Sequence, residues 1–310
     1  MPGGIDQDAA RPEFGVDQSV FGSRIPIRPG HHIKCGKIFM LDPPTPDGEL
    51  MLSFERLDFG RVEFMTGISE SVAQLHDPPF GGPYIYTRDI GLNLTTRVIS
   101  GVAASAWFPT TTERWRNSDG SGRLVRREYP PEFSSTGAAG MWGEADAVLH
   151  DVQVIDRTVR AGEYSTLKDV WEGGMPLSHN PESLSRQLIS VSGGSAQAVL
   201  RAVRDIYYDL GVVEASLRAA ILRVLAGVDG LSLAGMTSDK SGREVFGVSA
   251  QADGQGVQFT LVLDPATGEL NAHQEVLVKH AAKLDLEPPG LLSYGERQVW
   301  GRTRDTGSRP

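Results

Sequence analysis

Cysteine is almost absent from this chain of 310 residues, which contains Cys35 and no other. A single thiol excludes an internal disulfide framework and any metal site built from several thiolates. Basic residues are also fewer than acidic ones. The chain has 30 Lys and Arg but 39 Asp and Glu, which gives a formal net charge of -9. Nucleic-acid binding requires a basic surface, so this composition argues against a DNA or RNA partner.

Long apolar runs are also missing. No stretch approaches the ~18 consecutive apolar residues of a membrane-spanning helix. The first residues, MPGGIDQDAARPEF, have neither the basic nor the apolar region of a signal peptide. The chain as given is therefore expected to be soluble and unexported.

The usual nucleotide and nucleophile motifs do not occur. There is no G-x-x-x-x-G-K-[ST] phosphate loop and no G-x-S-x-G elbow, so we expect no cofactor. Ser192 and Ser195 stand at a predicted helix start, where hydroxyls typically cap backbone amides. The histidines that could act as a base are His150, His179, His273 and His280. The sequence pairs none of them with a serine or an acid.

Turn-rich β sequence makes up most of what is present. The stretches 83–129 and 231–278 carry β-branched, aromatic or alternating apolar residues, divided by SDGSG, DKSG, DGQG and DPATG. Each stretch predicts an antiparallel meander. The run 291–302 is expected to add an edge strand. In DPATGE, Asp264, Pro265 and Gly268 have the chemistry of a hairpin turn, so we expect a structural role for it.

Helical periodicity lies between the two meanders. Apolar residues recur at helical spacing over 181–191, 195–210 and 213–227, with Asn180 as an N-cap and Gly211 as a C-cap. The last two segments predict a helical hairpin. A further helix is predicted over 61–76.

These patterns together predict an α+β fold, in which a curved, mostly antiparallel sheet of two meanders packs against the helical hairpin. Residues 1–60 are expected to form a poorly ordered or loosely attached segment. Residues 61–302 are expected to form a single α+β domain, and residues 303–310 a disordered tail.

Polar clusters offer weak candidates for chemistry. His31, His32 and Cys35 could begin a metal site, but no fourth ligand lies near them in the sequence, and we predict no metal. Two neighbouring carboxylates would support glycosidase-type chemistry. The acidic residues in or after the first meander are Glu113, Glu128, Glu132, Glu144, Asp146 and Asp151. Solvated strand faces and loops explain them equally well, and we predict no catalytic residue.

Aromatic residues concentrate around the first meander. They are Tyr84, Tyr86, Trp107, Phe108, Trp115 and Trp142. On the concave face of a curved sheet they would line a pocket for an acyl chain or another apolar ligand. Packing within the core is the alternative.

Several stretches resemble an uncharacterised actinobacterial family of membrane-anchored proteins. They are GPYIYTRD (82–89), TTERWRNSDGSGRLVRRE (111–128), MPLSHNPESLSRQL (175–188), ASLRAAILRVLAGVDGLSLAG (215–235) and FTLVLDPATGELNAHQEVLV (259–278). The resemblance implies an extracytoplasmic domain, frequently near sigma-factor regulators, with no assigned enzymatic activity. Its layout is similar to that of the half-barrel lipoprotein carriers. The family's transmembrane helix is missing from this sequence, so an envelope location is expected only with an upstream anchor.

We therefore expect a non-catalytic, envelope-associated domain that binds a hydrophobic ligand such as a lipid, or a regulatory protein. A hydrolase using carboxylate or histidine chemistry is one alternative. A pure scaffold or interaction module is the other. The sequence does not determine the oligomeric state.

Overall fold

The computed structural model describes residues 51–57, 60–77, 81–143, 150–164, 176–239, 242–251, 256–281, 284 and 286–310, with the backbone alone at Ile99. Chain contacts divide the protein into Met1–Leu41 and Asp42–Pro310. All described residues belong to the second unit. His31, His32 and Cys35 lie outside the described residues.

One antiparallel sheet organises the described part of the chain. Its strands are Tyr84–Ile99 (β1), Val102–Arg116 (β2), Gly122–Glu128 (β3), Glu132–Phe133 (β4), Gln153–Val159 (β5), Ser232–Ser238 (β6), Glu244–Gln251 (β7), Val257–Leu263 (β8), Leu270–Leu277 (β9) and Gly290–Thr303 (β10). Their spatial order is β5-β3-β2-β1-β10-β9-β8-β7-β6, and β4 pairs with β2. The predicted α+β class, with a large antiparallel sheet packed against helices, is confirmed.

Strand β10 joins the two meanders. It lies between β1 and β9, so it is a central strand and not the expected edge strand. Its polar residues gave it the pattern of an edge, but they are paired inside the fold. Tyr294 donates to Glu296 at 2.7 Å, and Arg297 donates to Asp89 at 3.1 Å.

The described helices are Arg61–Val72 (α1), Thr136–Gly143 (α2), Pro181–Ser192 (α3), Ala196–Leu210 (α4) and Ala215–Gly227 (α5). Asn180 caps α3 by accepting from the backbone N–H of Ser183 at 3.0 Å, and Ser195 caps α4 by accepting from that of Ala198 at 3.3 Å. Gly211 follows α4 with a φ of +72°. The capping residues therefore set the helix boundaries that their sequence predicted.

The main core lies between helices α1, α3, α4 and α5 and strands β6–β9. Ile206, Leu225, Phe246, Phe259 and Leu261 are fully buried there. Burial of each such side chain contributes about 1.5–3 kcal/mol to stability. We call the sheet face that α4 contacts the inner face, and the opposite face the outer face.

The β8–β9 turn DPATGE is bonded to the helices. Tyr207 of α4 donates to the Gly268 carbonyl at 2.6 Å, and Arg218 of α5 donates to the Thr267 carbonyl at 2.7 Å. Arg218 also pairs with Glu269 at 2.6 Å. Burial raises the pKa of Glu269 to about 7, against the opposing effect of Arg218. The turn thus fastens the second meander to the helix layer.

Two chain segments contact the outer face. In the first, Leu52 donates its backbone N–H to Gln274 at 3.0 Å. In the second, the carbonyl of Ser308 accepts from the indole N–H of Trp115 at 2.6 Å, and Arg309 donates to both oxygens of Glu113 at 2.6 and 3.1 Å.

Candidate functional site

Strand register brings arginines from four strands onto one region of the inner face. Directly opposite residues share a face, and so do residues two apart along a strand. Three adjacent cross-strand rows result. The rows are Arg302-Ile85-Arg116-Gly122-Val159, Trp300-Thr87-Arg114-Leu124-Arg157 and Arg297-Asp89-Thr112-Arg126-Ile155. We call their six arginines the arginine face: Arg114, Arg116, Arg126, Arg157, Arg297 and Arg302.

Arg297 fixes helix α4 to this face. Its Nη1 donates to the carbonyls of Tyr207 and Gly211 at 2.9 and 3.0 Å, at the C-terminal end of the helix. A cation is favoured there because the free carbonyls carry partial negative charge. The Arg297 side chain is 1% exposed, and its Nη2 has no hydrogen-bond partner among the described residues. The helix end is therefore held by a guanidinium that still has an unused donor.

Gly211 permits the close approach of the helix to the sheet. A Cβ at this position would lie 2.7 Å from the Cγ2 of Ile85 and 3.2 Å from the Cγ2 of Thr87. Its positive φ also disfavours other residues. The turn after α4 thus rests directly on β1, beside Arg116.

Asp89 neutralises part of the arginine face. Its Oδ1 accepts from Arg297 at 3.1 Å and its Oδ2 from Arg114 at 2.8 Å. A carboxylate held by two guanidinium groups is a strong, charge-assisted arrangement. Asp89 is the one carboxylate within the three rows. Glu128, in the next row, pairs with Arg126 at 3.0 Å, and Asp209 lies near Arg116. Six arginines against these three carboxylates leave the region with a net positive charge.

Arg116 is a half-buried arginine of the cluster that makes no ion pair with a described residue. Its guanidinium has no hydrogen-bond acceptor among the described residues. Burial lowers its pKa from the ordinary value; Asp209 opposes this effect, and Arg114 and Arg297 add to it. An anion placed beside Arg116 would supply the acceptor that the fold does not.

The surroundings of Arg116 are largely dehydrated. Burial, with the nearby charge of Asp205, raises the pKa of Asp209 to about 6, despite the opposing charge of Arg116. Burial also raises the pKa of Tyr164 to about 12, against the opposing charges of Arg114, Arg116 and Arg157. Tyr164 donates its hydroxyl to the carbonyl of Arg123 at 2.8 Å. In such surroundings an ionic contact is stronger than in bulk water.

Exposure of the arginine face increases towards β5. Arg297 on β10 is buried, Arg114 and Arg116 on β2 are half-buried, and Arg157 on β5 is exposed. Guanidinium groups bind carboxylates through two parallel hydrogen bonds. The face therefore offers anion-binding groups that a solvent-borne partner can reach from the β5 side.

The six predicted aromatic residues lie in three separate clusters. Tyr86 and Trp115 pack together on the outer face with Tyr84, with a ring distance of 5.0 Å. Phe108 and Trp142 pack at 5.3 Å on the inner face, under α2. Trp107 belongs to a third cluster and donates to the carbonyl of Leu291 at 2.9 Å. The six side chains do not converge on one cavity.

The helix side carries two open grooves. One, of about 390 Å³, lies between α1 and α5, and the other, of about 820 Å³, lies between α3 and α5. No strand residue lines either of them. They are therefore separate from the space between helices and sheet, which the core side chains occupy.

The predicted serines and the half-buried His273 make structural contacts. Ser195 caps the start of α4, as expected. Ser192 is not at a helix start but is the last residue of α3, and it accepts from the backbone N–H of Gly194 at 3.3 Å. Burial lowers the pKa of His273 well below its ordinary value; its ring stacks on Phe259 and contacts the Tyr208 hydroxyl at 3.4 Å. His280 is exposed, 4.0 Å from Glu287.

The acidic candidates do not pair with one another in the described part of the chain. Glu113 is bound by Arg309, Arg127 and Tyr86, and Glu128 is bound by Arg126. Glu132 lies in β4, Asp151 just before β5, and Glu144 and Asp146 lie outside the described residues. No group of three or more His, Cys, Asp or Glu among the described residues is placed to hold a metal ion.

One serine–histidine contact was not visible in the sequence. Ser216 Oγ lies 2.9 Å from Nδ1 of His179, across 37 residues, and Nε2 of His179 lies 4.0 Å from Glu214. A nucleophilic triad needs the acid within hydrogen-bond distance of the histidine. The contact to Glu214 is longer than that, and all three side chains are exposed.

Neither a protein-family model nor a curated protein matches the chain. Among solved structures, the MucB chain of a complex with MucA(peri) is 12% identical over 79% of this chain, with a TM-score of 0.26. This chain spans 57% of that chain. A DUF1329 family protein from Desulfovibrio piger is 9% identical, with a TM-score of 0.19; the match covers 79% of this chain and 94% of that protein. A LolA superfamily protein from Nitrosomonas europaea is 7% identical, with a TM-score of 0.16; the match covers 77% of this chain and 93% of that protein. Similarities this low do not indicate a function.

None of the described helices is long and apolar enough to cross a membrane.

Proposed function

We propose that this chain is a regulatory binding domain and that its arginine face binds an acidic segment of a protein partner. The observation that carries the proposal is Arg116, a half-buried guanidinium without an acceptor among the described residues, surrounded by further arginines. The unused Nη2 of Arg297 supports it. An extracytoplasmic location, which the family resemblance implies, belongs to the same proposal.

An acidic segment fits this face better than an acyl chain does. The net positive rows attract carboxylates, and a carboxylate gives Arg116 the bidentate partner it lacks. An apolar chain would instead bury guanidinium groups without acceptors, which costs about 1–3 kcal/mol for each unpaired donor. The aromatic side chains that a lipid pocket would use are divided among three clusters.

The proposal is tested with a labelled peptide of alternating Glu and Val that is longer than the 7 residues of β5, so that its end can turn over the inner face to Arg116. We expect fluorescence anisotropy to show binding, and the analogue with Gln in place of Glu to bind at least about tenfold more weakly. Arg116→Gln should weaken binding by about tenfold or more, and Arg157→Gln by about twofold to fivefold because it is exposed.

Arg186→Gln is the matched control. Arg186 is on α3, away from the arginine face, and contacts Ser183 at 3.2 Å. This variant should bind the peptide as the unmodified protein does. Equal binding of the Glu and Gln peptides, or equal losses in all three variants, would overturn the proposal.

A further inference from the structure

Among the described strands, β5 is the last of the sheet, and its pairing to β3 is regular. Seven consecutive residue pairs, from Gly122↔Val159 to Glu128↔Gln153, join β5 to β3 without a register shift. In the described part of the chain no strand pairs with the other side of β5. A row of backbone N–H and C=O groups is therefore presented in the spacing that another strand requires.

The opposite end of the sheet has one bridge to another segment. Glu55 pairs with Met236 of β6, and the two backbone N–H···O bonds measure 2.7 and 2.9 Å. The protein's own chain thus pairs with the outer side of β6 at one position. Strand β5 has no such bridge among the described residues.

Strand β5 has only part of the usual protection of an edge, namely the charges of Asp156, which pairs with Arg123, and of Arg157. Its sequence, QVIDRTV, contains no Lys and no Pro, and its pairing has no bulge. Val154 and Ile155 are 57% and 39% exposed, on opposite faces of the sheet. An exposed, regular edge with apolar residues is the feature that β-augmentation uses.

The arginine face reaches this edge. Arg157 and Ile155 are the inner-face residues in the middle of β5, and Ile155 is directly opposite Arg126. Side chains of an added strand would alternate between the two faces. Those on the inner face would stand next to Arg157, and those on the outer face would stand next to Val154.

We infer that the acidic partner binds as an added strand on the edge of β5. Its inner-face carboxylates pair with Arg157, and its β-branched apolar residues lie on the outer face against Val154. Arg116 lies on β2, three strand spacings or about 14 Å from the added strand, so the acidic residue that reaches it lies beyond the end of the strand and turns over the inner face. Backbone hydrogen bonds to β5 fix the register of the segment, and the arginines select its charge. The inference rests on the function proposed above and specifies the conformation of the partner.

The test uses the Glu and Val peptide in two N-methylated forms. One form carries methyl groups on the backbone nitrogens of the odd-numbered residues, and the other carries them on those of the even-numbered residues. In an added strand only every second N–H points to β5. We expect one form to bind about 50-fold or more weakly than the parent peptide, because several hydrogen bonds are lost. The other form should bind within about twofold of the parent, since its methyl groups face solvent. Hydrogen exchange should slow at the amides of β5 and not at those of β6.

The outcomes separate the two proposals. Equal binding of the parent and both methylated peptides, with losses still caused by Arg116→Gln, would overturn the added strand and leave the arginine face intact. Failure of the parent peptide to bind would overturn the proposed function itself. If the β5 amides became protected on raising the protein concentration alone, the occupant of the edge would be a second copy of the chain. If only anionic vesicles protected them, the occupant would be a membrane. Either result would contradict the inference.

Discussion

Arg297 and Asp89 are separated by 208 positions in the sequence, yet the Nε of Arg297 donates to Oδ1 of Asp89 at 3.1 Å in a buried ion pair. The pair joins β10 to β1, and Arg297 also holds the end of α4. Arg114 adds a second guanidinium to the same carboxylate. This junction connects the two meanders with the helix layer and sets one boundary of the arginine face.

Replacing Asp89 should destabilise the protein strongly. Asp89→Asn leaves the buried Arg297 without a countercharge, and breaking a buried pair costs about 3–5 kcal/mol. Urea unfolding measures the loss. Asp205→Asn is the matched control, because Asp205 pairs with Arg204 at an exposed position of α4, where a pair contributes about 0–1 kcal/mol. Equal losses in the two variants would contradict the assigned role of Asp89.

The Glu113 carboxylate should make the free energy of unfolding depend on pH in the acidic range. Burial acts to raise its pKa, but hydrogen bonds from Arg309, Tyr86 and Arg127 outweigh burial and lower the pKa to about 2 from an ordinary 4.5. As the pH falls, Glu113 therefore becomes protonated in the unfolded chain at a higher pH than in the folded protein. Its contribution, on the order of 2–3 kcal/mol, is complete above the ordinary value and is lost as pH falls from 4.5 towards 2.

Denaturant unfolding of Glu113→Gln across this pH range tests the point. The difference from the unmodified protein should be largest near neutral pH and should shrink on acidification. Glu128→Gln, at a more exposed carboxylate on β3, should show a small difference throughout. A constant difference for Glu113→Gln would contradict the ion-pair explanation.

The hydroxyl of Tyr207 should contribute more to the free energy of unfolding than the hydroxyl of its neighbour Tyr208. Tyr207→Phe removes the donor to the buried Gly268 carbonyl at 2.6 Å, and an unpaired buried acceptor costs about 1–3 kcal/mol. Tyr208→Phe removes only a contact of 3.4 Å to His273, so its loss should be smaller. Thermal or urea unfolding of both variants compares them directly, and a larger loss for Tyr208→Phe would contradict this account of the turn.

The elements with local signals were predictable. Asn180 and Ser195 mark helix starts, and Gly211 marks a helix end, because capping chemistry depends on residues close in sequence. Helix α2 was missed, since TGAAGMWG contains three glycines and relies on the contact of Trp142 with the sheet. The central position of β10 could not be read from its own polar pattern.

The site was less predictable because it depends on strand order. The alternate arginines Arg114 and Arg116 in RWR give a local hint of a charged face, but Arg297 and Arg302 join it only through the pairing of β10 with β1. The aromatic hypothesis could have been refined from the sequence. Trp107 and Phe108 are consecutive strand residues, which point to opposite faces of a sheet, so they could not line one pocket.

A charge exchange at Arg157 tests the central claim most directly. Arg157 is exposed and makes no hydrogen bond to a described residue through its side chain, so Arg157→Glu should fold normally. We predict that this variant binds the Glu and Val peptide about fivefold or more weakly than the unmodified protein, and binds the matching Lys and Val peptide more tightly than the unmodified protein does. Unchanged affinity for both peptides would contradict the arginine face as the binding site.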